Sequence, residues 1–168
     1  MATLKANWSE AFSAQAASDL DAFLVLEKSG LPISHRLHYL QMWLEKLSKA
    51  YLWMQVDSNN VLRFRHNVIA GVLPNLISKH HRRLGIAEHK DLSAIRQLCR
   101  EIDMLHPQVD DDGRRPDNVE YPWIGSSGAA EIPAQWKFTL AGRLYTNPGR
   151  LLRKAAITLT RYRSEYFH

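Results

Sequence analysis

Hydrophobic residues recur at helical spacing in several separate stretches of this chain. The first stretch runs from about residue 8 to 29, and the second begins near Ser34, after the breaker Gly30-Leu31-Pro32, and ends near residue 56. Positions that step by three or four residues share one face of an α-helix. In the second stretch the stepping positions form one continuous apolar stripe: Leu37, Leu40, Leu44, Leu47, Tyr51 and Met54. The pattern therefore predicts two amphipathic helices.

Two further helices are predicted in the middle of the chain. The third apolar stretch covers about residues 66 to 84 and contains Pro74. Because proline removes a backbone hydrogen bond and clashes with the preceding turn, we expect either a kink there or a helix that restarts at Pro74. The fourth stretch follows Asp91 or Ser93, either of which can cap a helix, and ends before Pro107.

A segment rich in proline and glycine, residues 107 to 145, separates these helices from the last one. Its bulky stretches, VEYPWIG and IPAQWKFTLAGRLY, indicate that it folds back onto the helices. Asn147 can cap a final helix that has Pro148 in its first turn. We therefore predict a single all-α domain, residues 1–168, built as an antiparallel bundle of four to five helices with an irregular insertion at about 107–145.

Composition narrows the class of protein. A chain of 168 residues is long enough to bury its own core, and its formal charge of +5 favours an anionic partner. The single cysteine, Cys99, rules out an intramolecular disulfide and fits a reducing compartment. No stretch approaches the roughly 20 apolar residues of a membrane span, and no apolar core of a signal peptide stands at the N-terminus. We expect a soluble, cytoplasmic protein without membrane association.

Residues 35 to 52, HRLHYLQMWLEKLSKAYL, carry a family resemblance. His38, Gln41, Glu45-Lys46 and Lys49-Ala50 resemble the H…Q…EK…KA helix typical of HEPN-like proteins, the higher eukaryote and prokaryote nucleotide-binding superfamily. The order of helices is similar as well. The resemblance implies a helical bundle that often pairs as a homodimer, contacts nucleotide or RNA, and in toxin-antitoxin pairs has a nucleotidyltransferase as its partner protein.

The same resemblance implies a catalytic motif for the ribonuclease members of the family. In them an arginine is followed, after four to six residues, by a histidine, and both chains of a dimer contribute the pair. Matching pairs in this sequence are Arg82 or Arg83 with His89, Arg100 with His106, and Arg161 or Arg163 with His168.

Two stretches are candidates for ligand binding. The basic run KHHRR, residues 79 to 83, either satisfies the dipole at a helix C-terminus or contacts phosphate through Arg82 and Arg83. In the stretch RRPDNVEYPWIG, residues 114 to 125, Tyr121 and Trp123 either plug the bundle or help to form a ligand platform. The platform would use arginines for an anionic group and Trp123 for stacking on a base: Arg114, Arg115, Asn118, Glu120 and Trp123.

No metal site or cofactor site is predicted. His35 and His38 lack the further ligands that a metal needs, and Asp110-Asp111-Asp112-Gly113 lacks the alternating ligands of a calcium loop. GxSxG, P-loop and GxGxxG motifs are absent from the sequence. Two functions follow: a HEPN-like binding or interaction module, which we favour over an enzyme, or a metal-independent ribonuclease of toxin type that uses an Arg-His pair.

Overall fold

The computed structural model describes residues 2–55, 67–87, 89–107 and 118–167, with side chains from residue 7 onward. These ranges contain six α-helices: α1 (Ala2–Leu26), α2 (Ile33–Gln55), α3 (Val68–Lys79), α4 (His89–Asp103), α5 (Thr139–Arg143) and α6 (Asn147–Arg161). The same ranges contain a two-stranded antiparallel β-hairpin, formed by β1 (Trp123–Ile124) and β2 (Ala130–Glu131). The predicted all-α helical bundle is confirmed.

The helices α1 and α2 form an antiparallel hairpin. The Ser9 hydroxyl, near the start of α1, donates to the Ala50 carbonyl near the end of α2 at 2.8 Å. At the opposite end of the pair the rings of Phe23 and Trp43 lie 5.7 Å apart. The helix α1 begins before residue 8, so the predicted start is wrong, because the sequence ATLKAN contains good helix formers and continues the helix backwards.

The helices α3 and α4 are also antiparallel, because the end of α4 caps the start of α3. The Asp103 carboxylate accepts the backbone N–H groups of Ile69 and Ala70, at 3.1 and 2.7 Å. The helix α3 continues through Pro74, so of the two alternatives predicted there, a kink or a restart, the restart is wrong. Pro74 is buried, and the apolar packing of its ring offsets the one backbone hydrogen bond that it cannot make.

The chain leaves α3 through a turn that depends on Gly85. This residue has φ +72°, a conformation that side chains with a Cβ rarely adopt. The Ile86 N–H donates to the His81 carbonyl at 2.8 Å, and the Gly85 N–H donates to the Arg82 carbonyl at 3.1 Å. This pair of bonds is a Schellman motif, which satisfies carbonyl groups at the end of a helical turn. We call residues 79–87 the basic turn.

The described part of the insertion folds back onto the bundle, as predicted. The Val119 N–H donates to the Leu105 carbonyl at 3.1 Å and ties the segment to the end of α4. Side chains from the insertion join the main core: Val119, Phe138, Leu140 and Leu144. Tyr121 is 61% exposed, so the expectation that it plugs the bundle is wrong.

Candidate functional site

The polar residues that carry the family resemblance share one face of α2. At 100° per residue, His38, Gln41, Glu45 and Lys49 lie within an arc of about 80°. This face points into the protein, since Gln41 is 0% and Glu45 is 7% exposed. The helix α2 therefore buries a polar stripe as well as an apolar one.

Glu45 is the centre of this buried stripe. The Gln41 amide donates to Glu45 Oε2 at 2.7 Å, and the Lys49 ammonium approaches Glu45 Oε1 at 2.6 Å. Both carboxylate oxygens are therefore used, which a buried charge requires. On the neighbouring face Lys46 pairs with Asp19 of α1 at 2.6 Å.

Glu120 of the insertion lies between two histidines. Its Oε1 atom is 3.7 Å from His38 Nδ1 and 3.7 Å from His106 Nε2, so α2, the segment that follows α4 and the insertion meet at one carboxylate. Asn118 positions this carboxylate, because its side-chain oxygen accepts the N–H groups of Glu120 and Tyr121 at 2.9 and 2.7 Å. Together with the hydrogen bond from the Val119 N–H to the Leu105 carbonyl, these approaches form what we call the structural tie between the insertion and the bundle.

Burial changes the acidity of two groups on α4. It raises the pKa of Asp103 to about 7, and the nearby charge of Glu45 also raises it, whereas the N–H groups of Ala70 and Ile69 lower it. Burial also raises the pKa of the Cys99 thiol. Because the thiolate is the reactive form, Cys99 is an inert core residue. Within the described ranges no group of three or more His, Cys, Asp or Glu side chains has the arrangement of a metal site.

A different polar surface covers the outside of α4. Six exposed residues lie within an arc of about 120° around the helix axis, at 100° per residue. They form what we call the basic face of α4: His89, Lys90, Ser93, Arg96, Gln97 and Arg100. None of the six is acidic; the helix turns Asp91 and Asp103 inward, and its third acid, Glu101, lies beside the arc and pairs with Arg143. The arc therefore presents cations and neutral polar groups to solvent.

The basic turn extends this surface beyond the start of α4. It forms an open groove of about 430 Å³, lined by His81, Arg82, Gly85, Ile86 and Ala87. The Lys154 ammonium of α6 lies beside Gly85, 3.9 Å from the point where a Cβ would stand. Arg82 is exposed at this groove, so two cations flank it.

The predicted catalytic arginines have other surroundings in this chain. Arg83 pairs with Glu165 at 3.0 Å and lies over the Tyr166 ring at 4.6 Å, whereas His89 is exposed on the basic face of α4. Arg100 is exposed, and His106 is 8% exposed beside Glu120. His168, the partner proposed for Arg161 or Arg163, lies outside the described residues.

Only part of the predicted ligand platform lies within the described residues. Arg114 and Arg115 lie outside the described residues, as do Asp110 to Gly113. Asn118 and Glu120 belong to the structural tie, and Trp123 is 7% exposed, which favours a packing role for this ring. An open cleft is instead lined by Trp136, which the sequence analysis did not single out, together with Phe138.

Comparisons with known proteins give no relative for this chain. No family model, no curated protein and no solved structure matches it. In the part of the chain that the structure describes, no helix is both long and apolar enough to cross a membrane.

Proposed function

We propose that this protein is a HEPN-like helical binding module that holds the phosphates of RNA or of a nucleotide on the basic face of α4. The observation that carries the proposal is the arc of six exposed, non-acidic side chains on that helix. Clustered cations attract phosphate groups and release their counterions, and the nearest α4 carboxylate, Glu101 beside the arc, is paired with Arg143.

The spacing of the cations suits an extended strand. Arg96 and Arg100 are one helical turn apart, about 6 Å along the axis, and His89 lies roughly 16 Å from Arg100. The basic turn, with Arg82 and Lys154, continues the charge beyond the start of the helix. A strand of several nucleotides would therefore meet one cation after another along α4.

Other parts of the proposal rest on the sequence alone. A homodimer, a nucleotidyltransferase as protein partner and a cytoplasmic location are the expectations that accompany the family resemblance and the single cysteine. A metal-independent ribonuclease is the second candidate. Within one chain Arg83 pairs with Glu165 and His106 lies beside Glu120, whereas Arg82 and His89 of another matching pair are both exposed.

The experiment measures binding of a fluorescent single-stranded 12-mer RNA by anisotropy, in EDTA and at several salt concentrations. Arg96→Gln/Arg100→Gln should weaken binding about tenfold, since each lost phosphate contact removes counterion release. The matched control, Lys28→Gln/Arg36→Gln, removes the same charge near the α1–α2 connection and should change affinity less than twofold.

Three results are informative. Salt-sensitive binding that depends on Arg96 and Arg100 supports the proposed function. An equal loss of affinity in the control variant would show that net charge alone explains the effect. That result would contradict a specific binding surface. Cleavage of the RNA in EDTA supports the ribonuclease candidate.

A further inference from the structure

A cleft of about 310 Å³ opens between the C-terminal end of α4 and the segment from residue 136 to 143. Its walls combine apolar and charged side chains: Glu101, Met104, Leu105, Trp136, Lys137, Phe138, Thr139, Leu140 and Arg143. This volume lies at the lower end of the roughly 300–1,000 Å³ of typical small-ligand sites. The cleft is separate from the tie around Glu120 and from the basic turn.

Trp136 forms one wall of the cleft and is held in place from behind. Its ring meets the ring of Trp123 edge to face, with centroids 5.2 Å apart and an interplanar angle of 83°. Trp123 is nearly buried, whereas Trp136 is only partly buried. The structure therefore fixes the orientation of an indole that still borders open space.

The charges around the cleft favour an anion with an apolar part. Arg143 pairs with Glu101 across one wall, so these two charges offset each other. Lys137, which is exposed at the rim, then leaves the lining with one positive charge that no lining carboxylate offsets.

The cleft continues the basic face of α4. Met104, on its wall, follows the end of α4, and its N–H donates to the Arg100 carbonyl at 3.1 Å, which places it about one helical turn beyond Arg100. A strand that places phosphates on Arg96 and Arg100 would therefore bring its next nucleotide to the cleft.

We propose that the cleft receives one unpaired base of a single-stranded RNA, which stacks on Trp136 while Lys137 meets a neighbouring phosphate. This inference rests on the proposed function and names its ligand class. Stacking on an aromatic side chain tolerates any sequence, because every base has a flat π-face. The base packs against the apolar wall, and the phosphate pairs with the Lys137 ammonium at the rim.

The test compares two strands with equal numbers of phosphates: a 12-mer of uridines and a 12-mer whose sugars carry no bases. Trp136→Ala should weaken binding of the uridine strand at least fivefold and change binding of the abasic strand less than twofold. Trp136→Phe keeps an aromatic face and should recover most of the affinity. Lys137→Gln should weaken both strands by a similar, smaller factor.

The outcomes separate the inference from the function on which it rests. If neither strand binds, the base site and the proposed function are both wrong. Salt-sensitive binding of both strands, with Trp136→Ala affecting them equally or not at all, overturns the base site and keeps the phosphate surface. If Trp136→Ala does not fold, as judged by its thermal midpoint, Trp136→Leu fills the wall without an aromatic face and should give the same loss on the uridine strand alone.

Discussion

Two helices of this protein carry polar residues at helical spacing, and they use them in opposite ways. On α2 the polar stripe is buried, and Glu45 is satisfied by Gln41 and Lys49. On α4 the basic face points to solvent, Asp91 and Asp103 are turned inward, and the partly exposed Glu101 is paired with Arg143. The first arrangement stabilises the bundle, and the second presents Arg96 and Arg100 to solvent.

Helical periodicity therefore locates a polar stripe on a helix, but it does not show whether that stripe faces the protein interior or solvent. On α2 a second set of elements covers the stripe, because Glu120 of the insertion reaches His38. On α4, by contrast, Arg96 and Arg100 are exposed, and no element among the described residues packs over them. The number of elements packed around each helix decides between structure and binding.

The largest effect is expected when the buried stripe loses its central charge. Glu45→Ala leaves Lys49 and the Gln41 amide buried without their shared carboxylate, and breaking such a buried pair costs about 3–5 kcal/mol. Urea denaturation should report this loss in the free energy of unfolding. The control Glu10→Ala removes an exposed carboxylate and should cost less than about 1 kcal/mol. A loss below 1 kcal/mol for Glu45→Ala would contradict the structural role of the stripe.

The next effect depends on pH and concerns Asp103. Its pKa is raised to about 7 in the folded protein, mainly by burial, and its ordinary value is 3.8. The folded state therefore holds the proton more tightly, so this group stabilises the fold below about pH 4 and that stability is lost as pH rises towards 7. At about 1.4 kcal/mol per pKa unit, the loss amounts to up to about 4 kcal/mol.

Asp103→Asn removes this titration and keeps one oxygen for the N–H groups that start α3. The stability of the wild type relative to the variant should therefore fall between pH 4 and pH 8, as measured by urea denaturation at each pH. Other titrating groups cancel in this difference. A difference that is constant with pH would show that Asp103 stays ionised in the fold.

The smallest effect is expected at the surface pair of Arg83 and Glu165. Both side chains are about half exposed, at 52% and 53%. Solvent screens such pairs, so a double-mutant cycle of Arg83→Ala and Glu165→Ala should give a coupling free energy of about 0.2–1 kcal/mol. A coupling above 2 kcal/mol would place this pair in the same class as the buried stripe.

Local periodicity was enough to predict the helical class and most of α2. Leu37, Leu40, Leu44 and Leu47 are all buried, as their spacing predicts. Met54, at the end of the same stripe, is 44% exposed, because α2 ends one residue later. Apolar spacing thus predicts the face of a helix better than the depth of burial at its ends.

Contacts between distant residues were beyond the reach of the sequence pattern. The approach of Glu120 to His38 joins positions 82 residues apart, and no spacing rule relates them. For the same reason the sequence singled out Trp123 as the aromatic platform, whereas the fold packs Trp123 behind Trp136. The sequence cannot distinguish the two tryptophans as stacking residues. Only the folded backbone determines that Trp136 borders the open cleft.

The most direct test of the contrast between α2 and α4 is the salt dependence of RNA binding. The logarithm of the affinity for a single strand falls with the logarithm of salt concentration, with a slope of roughly −0.7 per phosphate contact. Arg96→Gln/Arg100→Gln should therefore reduce that slope by about 1.4, with the free energy of unfolding unchanged. An unchanged slope, or a wild-type protein that shows no salt-sensitive binding, would contradict the assignment of the basic face of α4 as a phosphate-binding surface.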